Sequence, residues 1–195
     1  MARPRAVEDG ELLDAAMFAF WARGYAGVST RALEEATGLP ASSLYHRFGS
    51  KDGLFAATLT HYTRRVVSAR VARWLDAGAH PDALAGLRGF FTSVYRTGKH
   101  PYHACLLAST AAEPGPHAPE VKRVLQEGMR ELLDGFAGAV RRGMAQGTLR
   151  RDLDAETSAR YLLMNLRGLL ATARTLRDPQ QLDSLVDLML GALKA

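Results

Sequence analysis

The chain has 195 residues, 47% hydrophobic and 23% charged, which excludes a disordered polymer and leaves room for one or two packed domains. No apolar run approaches the roughly 20 residues of a membrane span, the charged stretch from Met1 to Asp14 lacks the apolar core of a secretory signal, and a single cysteine, Cys105, excludes an internal disulfide framework. These features predict a protein of the reducing cytoplasm, and the net charge of +5 suits a polyanionic partner.

Alternating β-branched runs are absent, and Ala, Leu, Arg and Glu dominate, so the expected fold class is all-α. A first helix is predicted from Val7 to Gly24, with an apolar stripe of Leu12, Leu13, Ala16, Met17, Phe20 and Trp21 and Gly24 as its stop. Ser29 is a good N-cap for a short helix from Thr30 to Thr37, because its oxygen can accept an orphan backbone N–H. Gly38 ends that helix and Pro40 suits the start of a third, Ala41 to Phe48. Ser50 caps a long fourth helix, predicted from Lys51 to Leu75. The loop "DAGAHPD", 76 to 82, marks a boundary. Further helices are expected at Asp82 to Thr97, Tyr102 to Ala112, Glu120 to Gln146 and Ala155 to Arg177, with a last one opened by Asp178-Pro179. The breaker "EPGPHAP" separates the second and third of these regions.

Two short helices joined by a glycine turn, behind a longer apolar helix, form a helix-turn-helix pattern. In that motif the second helix enters the major groove and its first residues meet base edges. "ASSLYHRF" fits the role. Leu44 and Phe48, four apart, face the core. Ala41, Ser42 and Ser43 are small enough to let the backbone approach the groove floor, and the serine hydroxyls can bond phosphates or bases. Tyr45, His46 and Arg47 reach phosphates from the flank. Lys51 adds its charge to a helix N-terminus, a natural phosphate site. Thr30 and Arg31 open the preceding helix and face the opposite phosphate wall. From Arg31 to Arg73 seven basic residues stand against three acidic ones, most of the surplus of the whole chain.

The stretch "FWARGYAGVSTRALEEATGLPASSLYHRFGSKDGLF", 20 to 55, resembles the TetR-type transcriptional repressors. The pattern F-x-x-x-G-Y, S-T-R, T-G-L-P, then S-L-Y-x-x-F-x-S-K-x-x-L-F carries the resemblance over roughly the first third of the chain. It implies an N-terminal three-helix DNA-binding domain, 1–50, followed by a larger helical ligand-binding and dimerisation domain, 51–195. By resemblance, Thr30, Arg31, Ser42, Ser43, Tyr45, His46 and Lys51 occupy positions used on DNA. Two departures stand out: Leu33-Glu34 where the family often has Ile-Ala, and Thr37-Gly38 where it often has Ala-Gly.

The last two helices have broad apolar faces, and pairing them with those of a second copy gives a four-helix bundle on a two-fold axis. The resemblance implies a homodimer on a palindromic double-stranded operator, released by a small-molecule inducer. Candidate inducer contacts are Phe91, Tyr95, Tyr102, Cys105, Met129 and Asn165, against the alternative that such aromatic and Met residues are simply core. Asn165, an amide in an apolar helix, either orients a ligand or bonds a carbonyl. Cys105 offers a thiol-based reading. A branch of the family with a similar C-L-L…E segment includes members that sense electrophiles or oxidants through that thiol. A metal site from His100, His103, Cys105 and His117 lacks tight ligand spacing. No phosphate loop, nucleophile elbow or zinc-protease motif occurs, so no enzymatic activity, metal or cofactor is expected. A helical adaptor without DNA binding is the remaining alternative.

Overall fold

The computed structural model describes residues 9–96, 105–113, 117–176 and 178–195. Among these the chain is helical: α1 (Asp9–Gly27), α2 (Thr30–Thr37), α3 (Ala41–Phe48), α4 (Lys51–Tyr62), a π-helical segment (Thr63–Ser68), α5 (Ala69–Trp74), α6 (Ala83–Arg96), α7 (Leu106–Ala112), α8 (Pro119–Gln146), α9 (Ala155–Thr172) and α10 (Pro179–Gly191). The extended element among them is a single antiparallel bridge between Leu149 and Lys194. The expected helix start at Val7 and the candidate contact Tyr102, with His100 and His103, lie outside the described residues.

Local chemistry sets the short helices. Ser29 accepts from Ala32 N and Ser50 from Gly53 N, each satisfying an orphan donor of the first turn. Gly38 takes the left-handed conformation (φ 70) that ends α2. The expected long helix from Lys51 to Leu75 is interrupted. Its middle, Thr63–Ser68, is wound as a π-helix. Thr58, Thr60 and Thr63 each turn a hydroxyl back onto the carbonyl four residues earlier, at 2.7, 3.0 and 2.9 Å. Such back-bonding competes with the backbone ladder and loosens regular winding. The helix expected to reach Arg177 ends at Thr172, where Thr175 bonds Thr172 O.

The chain divides into two compact units, residues 1–64 with 106–127, and 65–105 with 128–195. In the first, α1 packs on α2, α4 and α7, and α3 packs on α2 and α4. Its core holds Leu12, Phe20, Leu33, Leu44, Leu54, Phe55 and Leu59, all but sealed from solvent. Phe20 and Phe55 stand 4.6 Å apart. In the second unit α6 packs on α5, α9 and α10. There Phe136 stacks on Phe91 at 5.6 Å and meets Phe90 edge-on at 5.0 Å. Gly89 lies directly beneath the Trp74 ring, where a Cβ would stand 2.2 Å from ring carbons.

Candidate nucleic-acid interface

Leu33 and Leu44 are fully buried and hold α2 and α3 against the first unit's core. Thr37, buried in place of an alanine, satisfies its hydroxyl on Leu33 O at 2.7 Å. The α3 N-cap is Pro40, which has no side chain able to cap. Its place is taken by Glu34 of α2, whose carboxylate accepts from Ala41 N at 2.6 Å. The sequence reading missed this role. The signal was the acidic residue standing where an alanine was expected.

With those anchors set, α3 turns its other face outward. Ser42, Ser43, His46 and Arg47 are exposed and line a shallow open depression. Ala41 and Tyr45 are half-buried beside them. The Tyr45 hydroxyl lies 3.0 Å from Thr30 Oγ1, joining the outer edges of α2 and α3. Arg31 is exposed and pairs with Glu35 one turn on. Arg47 pairs with Asp9 and lies over the Phe48 ring, so it is already engaged within the unit.

Lys51 opens α4, half-buried. Its ammonium donates to Tyr25 O at 2.8 Å and sits 4.4 Å from the centre of the Tyr25 ring. The Tyr25 hydroxyl donates to Asp52 Oδ1 at 2.6 Å. Burial first, and then that bond to a carboxylate, push its pKa up to about 12. The candidates Thr30, Arg31, Ala41, Ser42, Ser43, Tyr45, His46 and Lys51 thus fall on two helix starts and the helix between them, carried by one unit.

The candidate inducer contacts lead in different directions. Phe91 is sealed in the aromatic cluster. Tyr95 donates to Asp183 of α10, which also takes Arg96, and burial and that bond raise the tyrosine's pKa. The Asn165 amide donates to Tyr161 O of its own helix at 2.8 Å. Arg167 approaches Met129 Sδ at 3.8 Å. Cys105 is 9% exposed and immediately precedes α7. His117 is bonded to Thr110 O, and no group of three metal-ligating side chains occurs among the described residues.

Residues 12–58 match the family described as bacterial regulatory proteins, tetR family, and residues 83–189 match the tetracyclin repressor-like C-terminal domain. The chain belongs to the TetR family. It is a helix-turn-helix transcriptional regulator, and its α1 to α3 are the matched DNA-binding module. Among solved TetR structures, a cysteine-substituted form of the regulator CifR, complexed with double-strand operator DNA, superposes with a TM-score of 0.83 at 32% identity, covering 97% of this chain and 99% of CifR. The helix-turn-helix regulator YezE of Bacillus subtilis is 29% identical over 99% of this chain and all of YezE. The repressor ComR of Escherichia coli is 28% identical over 88% of this chain and 82% of ComR. None of the described helices of this TetR-family chain is long and apolar enough to cross a membrane.

Proposed function

We propose that this regulator is a repressor that binds a palindromic operator as a homodimer and leaves it when a small molecule binds. It acts on cytoplasmic DNA and performs no catalysis. The observation that carries the reading is the α3 surface, where Ser42, Ser43 and His46 stand exposed while Leu44 anchors the opposite face. The operator complex of CifR and the repressor names of relatives such as ComR support it. Ser42 and Ser43, with Ala41 as the close-approach residue, are assigned to base edges. Thr30, Arg31, Tyr45, His46 and Lys51 are assigned to phosphates.

Functionally, residues 1–50 read DNA and 51–195 carry dimerisation and the signal. Met164 of α9 and Leu185 and Leu188 of α10 are 65%, 44% and 76% exposed, the large apolar side chains left open among the described residues. That patch on the last two helices supports a self-complementary interface. The inducer is assigned to the second unit's Phe91, Tyr95, Met129 and Asn165, with Tyr102 and Cys105. A thiol as sheltered as Cys105 is of the inert kind, which favours a non-covalent inducer over an electrophile. Binding there shifts the population toward a dimer whose recognition helices no longer fit adjacent grooves.

The test is a mobility shift on DNA flanking the gene, at two salt concentrations. Lys51→Ala is expected to weaken binding evenly across sequences and to flatten the salt dependence by about one phosphate contact. Ser42→Ala or Ser43→Ala is expected to change operator preference instead. A Lys51→Ala variant that changes base preference and keeps its salt dependence overturns the assignment. Loss of the shift with an unsaturated aldehyde, absent in Cys105→Ser, would replace the non-covalent inducer by the thiol.

A further inference from the structure

We infer that Glu113 is a positioning residue for the DNA-facing surface: from the end of α7 its carboxylate sets the peptide group on which Lys51 is seated. The inference rests on the reading of Lys51 as a phosphate contact.

The chain breaks its first helix at Gly24, where φ is 71 and ψ is 169. The short turn that follows begins with N–H groups that have no helical partner behind them. Glu113 supplies both partners. Its Oε1 accepts from Tyr25 N at 2.9 Å and its Oε2 from Ala26 N at 3.3 Å. A Cβ at residue 24 would lie 2.7 Å from Oε1 and would push the carboxylate off its present place. Glycine is required at this point for its backbone angle, and its bare Cα leaves the carboxylate room beside it.

The Tyr25 carbonyl and the Ala26 N–H belong to one planar peptide group, and no cis peptide occurs in the described chain. In a trans peptide the two point in opposite directions. Glu113 holds the N–H end and Lys51 Nζ donates to the carbonyl end at 2.8 Å. Fixing one end aims the other. Tyr25 adds a second hold, its ring under the Lys51 ammonium and its hydroxyl on Asp52, the next residue of α4. Without the carboxylate that peptide loses the hold on its N–H end, and the seat of Lys51 loosens with it. Glu113 stands 88 residues from Tyr25 in the chain yet within the same compact unit. The state of α7 is thereby wired to a cation at the start of α4.

The test uses the full-length chain on duplex DNA from beside its gene and on random-sequence duplex, over a fourfold salt range. Glu113→Ala is expected to flatten the salt dependence as Lys51→Ala does, by about threefold in affinity across that range. The double variant is expected to bind no more weakly than Lys51→Ala alone, because the two act as one unit. Hydrogen exchange at the Tyr25 and Ala26 amides should quicken in Glu113→Ala while that of the Leu12 to Phe20 amides holds. Glu113→Gln keeps one carboxamide oxygen and should fall between, and it carries the test if the alanine variant does not fold. Additive losses in the double variant, or a Glu113 variant with unchanged salt dependence, overturn the coupling. Lys51→Ala without effect on salt dependence sinks the phosphate assignment itself, and the consequence for DNA with it.

Discussion

The helix-turn-helix and the α6–α10 pair both close helix starts with side-chain oxygens, Asp82 and Gln146 at α6 and Asp178 at α10, and differ in what joins one helix to the next. In the first, side-chain oxygens take backbone N–H groups: Ser29, Ser50, Glu34 and Glu113 close the starts of α2, α4, α3 and the turn after Gly24. In the second, charged side chains meet each other across the helices: Arg88 forks onto Asp187 at 2.7 and 3.1 Å, and Tyr95 and Arg96 converge on Asp183. A bond to a backbone amide fixes the angle and register of the helix that owns it. A pair of long side chains tolerates sliding and is screened by salt. A surface that must match a groove benefits from the first kind, and a domain that must yield to a ligand can use the second.

The largest expected effect probes what lies beneath both. Phe91→Ala removes a sealed ring from the Phe90–Phe136 cluster and should destabilise the protein by about 3–5 kcal/mol, read by chemical denaturation. A loss below about 1 kcal/mol would show that the ring borders empty space and would strengthen its assignment to an inducer cavity. Next in size, Glu34→Ala should cost about 1 kcal/mol, the usual worth of a helix cap. It should also broaden operator preference, since α3 loses the bond that fixes its start. Glu34→Gln should restore much of both. If the alanine variant changes stability alone, the cap serves the fold and not the reading of DNA.

The smallest effect concerns the ion pairs. The hydrogen bond from Tyr95, with the Arg96 charge, holds the Asp183 carboxyl below its ordinary value of 3.8. A carboxylate held low stabilises the folded state above its unfolded value and loses that contribution as pH falls through the folded one. The stability gap between wild type and Asp183→Asn should thus be present at neutral pH, shrink below about pH 4 and narrow in high salt. A gap that persists at low pH would move α6–α10 into the class held by packing.

Helices α2 and α3 were legible to their end residues because Ser29, Gly38, Pro40 and Ser50 act within a turn of where they stand. The candidate DNA surface was legible for the same reason, being what remains of α3 once Leu44 is inside. Glu34 and Glu113 were not, because each acts on a helix start whose distance depends on tertiary packing. The π-helical segment left a trace in Thr58, Thr60 and Thr63, three hydroxyl residues whose back-bonds only become visible once the helix is built. Asn165 could be narrowed to two roles by composition, and its bond to Tyr161 O depends on a carbonyl position that composition does not show.

The π-helical turn at Thr63–Ser68 also has an arithmetic of its own. A five-residue closure in place of a four-residue one is the footprint of one residue added to an α-helix without breaking it. Excising a single residue there would let the helix wind regularly from Lys51 onward, and would swing each later side chain by about 100°. Val71 and Leu75 would then no longer face Gly135, where an added Cβ would meet their side chains at 3.0 and 3.2 Å. The irregular turn acts as a phase shifter, and the side chains after it are packed for the shifted phase.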